Sequence, residues 1–103
     1  MPESARRARV ERLVEAARVL ADPQTDAGRA LRSRLLETTG LSAPSIELGL
    51  ARCLETQPTA EQLAALLTGT PEAPRAHVLL SANVFVASLR AIAIGLASSS
   101  QVS

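Results

Sequence analysis

The sequence contains no tryptophan, no tyrosine and no lysine, and only one phenylalanine (Phe85), one cysteine (Cys53) and one histidine (His77). A core without aromatics has to be built mainly from alanine and leucine. A single cysteine excludes an internal disulfide, which points to a reducing compartment. A single histidine leaves any metal site made from this chain alone short of ligands. With 11 basic residues, all arginine, against 10 acidic ones, the net charge is +1, so there is no strong field to draw in nucleic acid or an anionic membrane. We read the exclusive use of arginine as a genomic composition bias. Also absent are a glycine-rich phosphate loop, paired Cys or His spacings and a Ser-His-Asp set. The longest apolar stretch, residues 84–97, spans about 21 Å as a helix, too short for a bilayer, and it carries Arg90. No apolar run follows a basic patch at the N-terminus, and Glu3, Glu11 and Glu15 argue against a transit peptide. The expectation is a cytoplasmic protein with no membrane span.

What is present is ordinary for a globular domain: 47% of the 103 residues are hydrophobic and 20% charged. A chain of this length forms one domain that buries roughly 60 to 70% of its unfolded surface. From about residue 4 to 21, Val10, Leu13, Val14, Ala17, Leu20 and Ala21 recur at helical spacing, with arginine and glutamate on the other face. Asp22-Pro23 breaks that helix, and Thr25 or Asp26 caps a second one running to about Thr38, with Ala27, Ala30, Leu31 and Leu35 inward and Gly40 at its end. Ser42 caps a third helix, expected to reach about Thr56, with Pro44 in its first turn and Ile46, Leu50, Cys53 and Leu54 on one stripe. Thr59 and Gln62 form a capping box ahead of Leu63, Leu66 and Leu67, and the fourth helix stops at Gly69. Residues 70–75, with Pro71 and Pro74, form a loop.

Beyond the loop, residues 78–80 read as a buried strand. A turn at Ser81-Ala82-Asn83 follows, then a helix over residues 84–97, and a second strand starts at residues 101–103. The expected fold is therefore an α+β or α/β fragment: four N-terminal helices (1–69), the loop (70–75), and the strand-helix-strand start of a parallel sheet (76–103). Open α/β sheets build their sites beyond the carboxyl ends of strands, where helix N-termini present unpaired N–H groups.

Four features bear on chemistry. Cys53 on an apolar stripe behaves as a small hydrophobe, with no histidine near it in sequence. His77 marks the entry to the strand. Residues 59–67 followed by Gly69 look like the first half of a helix-turn-helix, but Pro74 would lie within the recognition helix and Arg75 would be its only basic residue. Asn83 has two readings. It is either the N-cap of the helix that follows, which spacing alone favours, or an amide donor held at a strand tip and aimed at a developing negative oxygen.

Residues 78–97 resemble the strand, Gly-Asn-Val-Pro turn and helix of acyl-CoA reductases, the reductase subunits of the bacterial bioluminescence fatty-acid reductase complex and their relatives in the aldehyde dehydrogenase superfamily. The preceding helices, with Thr39-Gly40-Leu41-Ser42 at one helix start and the box at Thr59, Gln62 and Leu63, are similar to the lead-in of those enzymes. Ala82 and Phe85 stand where that family has glycine and proline. The resemblance implies that Asn83 is the oxyanion donor to a thiohemiacetal formed on a catalytic cysteine. It also implies acyl-CoA as substrate and NADPH as cofactor, with the nucleophile and most cofactor contacts outside this chain. On that reading the chain is an N-terminal part, not catalytic on its own, and its partner is the remainder of the enzyme. The rival expectation is a small helical interaction domain whose apolar final helix docks on a protein partner or a second copy.

Overall fold

The computed structural model describes residues 2–80 and 88–103. Helix α1, Glu3–Ala21, buries Val10, Val14 and Ala17, an i, i+4, i+7 stripe. It ends where the Asp22 amide turns back to donate to the carbonyls of Arg18 and Val19. Helix α2, Asp26–Thr39, starts on Thr25, whose side chain accepts from the Gly28 amide at 2.9 Å, and stops at Gly40, which adopts φ 72°. A side chain at Gly40 would be strained in that left-handed conformation, so glycine ends the helix at little cost.

Gly28 is buried, whereas the expected inward residues Ala27 and Ala30 are exposed. The cause is a close approach: a Cβ at Gly28 would lie 2.0 Å from the Asp22 carbonyl oxygen, so the start of α2 rests directly on the end of α1.

Helix α3, Ala43–Leu48, is capped by Ser42 with Pro44 in its first turn. It does not continue as an α-helix to residue 56. Residues Gly49–Cys53 widen into a π turn, closed by the Leu54 amide donating to the Gly49 carbonyl at 3.1 Å. An i→i+5 turn inserts one residue into the helical phase. The expected stripe therefore holds for Ile46 and Leu50, which are buried, and fails at Cys53, which is exposed. Helix α4, Ala60–Gly69, has the full capping box, with Thr59 accepting from the Gln62 amide and the Gln62 side chain accepting from the Thr59 amide. Helix α5 is Ser88–Ser98.

Two small cores result. Val10 and Val14 of α1, Leu67 of α4, and Ala93 and Ala97 of α5 form one, and Leu35, Ile46 and Leu50 of α2, α3 and the π turn form the other. Alanine at 93 and 97 allows α5 to lie close against α1. Three arginines tie the helix ends together. The Arg6 guanidinium donates to the carbonyls of Ala97 (2.6 Å), Leu67 (3.0 Å) and Thr70 (2.6 Å), and Arg9 Nε donates to Leu96 (2.8 Å). Arg32 donates to Leu20 and Ala21 at the end of α1 and pairs with Glu47 of α3. Each places positive charge where a helix leaves carbonyls unpaired.

The expected strand-helix-strand start of a parallel sheet is not formed. The fold is all-helical, and among the described residues no strand occurs, only a single parallel bridge between Ala76 and Val102. Leu79 and Leu80, expected in a sheet core, are 94% and 54% exposed. The physical reason is that a lone pair of extended segments has no third segment to extend its ladder and no layer on its second face, and such pairs are marginal.

Candidate functional site

The sequence singled out the connection between the bridge and α5. Asn83, read as a helix cap or an amide donor, lies with the rest of residues 81–87 outside the described residues.

Around the bridge, the Ala76 amide donates to the Gln101 carbonyl (2.9 Å), the Ser103 amide to the Ala76 carbonyl (3.0 Å), and the Val78 amide to the Ser103 carbonyl (2.8 Å). The Ala73 amide adds a bond to the Ser98 carbonyl at the end of α5 (2.8 Å). Ser99, 1% exposed, donates from its hydroxyl to the Pro74 carbonyl and accepts from the Gln101 amide, both at 3.0 Å. These bonds set residues 73–78 alongside residues 98–103. Sequence reasoning missed Ser99. A hydroxyl in a run of three serines after a helix carries no motif, and only its burial reveals the role.

The bridge seats on α5 through Gly95. A Cβ there would come within 2.9 Å of Val78 Cγ2 and 3.3 Å of Val102 Cγ1, so glycine leaves the space that both valines occupy.

A groove of about 390 Å³ opens between α1, α4 and α5, walled by Val10, Val14, Leu63, Leu66, Ala93 and Ile94. At its mouth Arg90 pairs with Glu55 at 2.6 Å. The hydrogen bond to Glu55, and then its negative charge, raise the Arg90 pKa above its ordinary value, while desolvation acts weakly the other way. Because the folded pKa is raised, the arginine's share of this stabilisation is lost only as pH rises through the folded value, and the pair holds only while Glu55 is ionised. It therefore confers no pH dependence near neutrality.

Cys53 sits exposed on the π turn and His77 exposed between the bridged residues. Among the described residues no group of three or more His, Cys, Asp or Glu is placed to hold a metal ion. Beside the bridge, Arg6 and Arg9 direct guanidinium nitrogens to helix carbonyls and Arg75 donates to the Gln101 side chain. No described helix is long and apolar enough to cross a membrane. Helix α5 buries Leu89, Ala93 and Ala97 within the chain, leaving Ile94 as its one large hydrophobic exposed among the described residues.

No family model, curated protein or solved structure matches this chain.

Proposed function

We propose that this chain is the N-terminal part of a cytoplasmic NADPH-dependent acyl-CoA reductase, an enzyme that takes an acyl group from CoA onto a cysteine and releases it as an aldehyde. The observation that carries the reading is the hydrogen-bonded juxtaposition of residues 76–78 with 101–103 across α5. It sets Val78, at the start of the segment that resembles the reductase turn and helix, beside the residues 101–103 that follow that segment. In this reading the chain supplies one wall of the cleft and Asn83, while the nucleophile, the hydride and the cofactor contacts come from residues elsewhere in the enzyme. Asn83 donates its side-chain amide to the oxyanion formed when the cysteine thiolate attacks the acyl carbonyl. A fixed donor of that kind lowers the barrier because it is already oriented when the charge develops.

The test is to express the coding sequence through to its own stop codon and follow NADPH oxidation over a series of acyl-CoA chain lengths. The reading expects acyl-CoA-dependent oxidation and a kcat lowered about a hundredfold or more in Asn83→Ala. Asn83→Asp separates the two roles of this residue, because aspartate is as good an N-cap as asparagine but its carboxylate has no hydrogen to donate to an oxyanion. A donor role predicts wild-type stability with the same loss of kcat. Failure of the encoded protein to oxidise NADPH with any acyl-CoA overturns the reductase reading. Full kcat in Asn83→Asp reduces Asn83 to a cap.

A second reading, a helical interaction domain, rests on the apolar groove and on the exposed Ile94 at its wall. It expects a concentration-dependent increase in sedimentation coefficient, or a stable hetero-complex, that Ile94→Arg abolishes. A strictly monomeric chain that binds no protein removes it.

A further inference from the structure

We draw no further inference here: the strongest candidate, the aliphatic groove between α1, α4 and α5 with the Arg90–Glu55 pair across its mouth, carries nothing beyond the second reading above, because nothing in the structure shows what covers it.

Discussion

Gly95 and Val78 occupy one another's space: a Cβ built on Gly95 would lie 2.9 Å from Val78 Cγ2. The absence of a side chain in the middle of α5 is what brings the bridged segments against the helix. Val78 and Val102 are thereby seated on the helical core through α5.

Substituting Gly95→Ala sets two effects against each other. Alanine gains roughly 1 kcal/mol of helix propensity over glycine, while overpacking against Val78 costs about 1–3 kcal/mol. The expected result is no gain, or a net loss, in urea-induced unfolding. In a Val78→Ala background the closer clash is gone and only the 3.3 Å approach to Val102 remains, so Gly95→Ala becomes less costly than in the parent. A double-mutant cycle is therefore expected to return a coupling of about 1–2 kcal/mol. Additive effects would show that α5 and residue 78 do not touch.

Arg6 joins three carbonyls from α4, the residue after it and α5. Removing it leaves helix-end carbonyls without a donor, so Arg6→Ala is expected to lose about 1.5–3 kcal/mol, the range for hydrogen bonds to a charged group. Arg6→Lys should recover less than half of that, because one ammonium cannot span the positions that a planar guanidinium reaches. Chemical denaturation of both variants checks the order. Equal stability of the lysine variant and the parent would argue against the three-carbonyl arrangement.

Cys53 is expected to react with a thiol reagent at the rate of an exposed cysteine in the native protein, without prior unfolding, because the π turn carries it away from the buried stripe. Cys53→Ser should change stability by no more than about 0.5 kcal/mol. Protection of the thiol until denaturant is added would restore the regular helical phase.

Thr59→Ala removes a hydroxyl that accepts from the Gln62 amide at 3.1 Å. The expected loss is about 1 kcal/mol. Amide exchange should localise it to the first turn of α4, with Thr59→Ser restoring most of the protection.

The helix starts were legible because each is a local interaction. Thr25, Ser42 and Thr59 accept from amides three residues ahead, and the polar residue sits directly before the apolar pattern it serves. The inward faces were less legible. Strict helical phase placed Cys53 with Ile46 and Leu50, and a single added residue in the π turn turned it out to solvent. Ala27 and Ala30 were placed inward by period alone, but the contact with α1 is made at Gly28, where the backbones meet too closely for a side chain. The strand at residues 78–80 failed for another reason. An apolar run without charge is compatible with a sheet core, but burial there requires neighbours on both edges and both faces. Asn83 was legible as a candidate through its place in a recognisable turn, and its two roles call for the substitutions above.

What the sequence determined by itself is what neighbours along the chain decide: five helical segments, the caps at Thr25, Ser42 and Thr59, the break at Asp22-Pro23, the turn at Gly40 and the loop between Thr70 and Arg75. Hydrogen bonds across three or four residues and the propensities of glycine and proline act over that range. Only the tertiary structure decided which faces met, that Arg6, Arg9 and Arg32 would reach helix ends far along the chain, and that residues 76–78 and 101–103 would pair as a bridge without becoming strands. Those outcomes depend on side chains 11 to 91 positions apart competing for the same carbonyls and the same space, and no local pattern records who wins that competition.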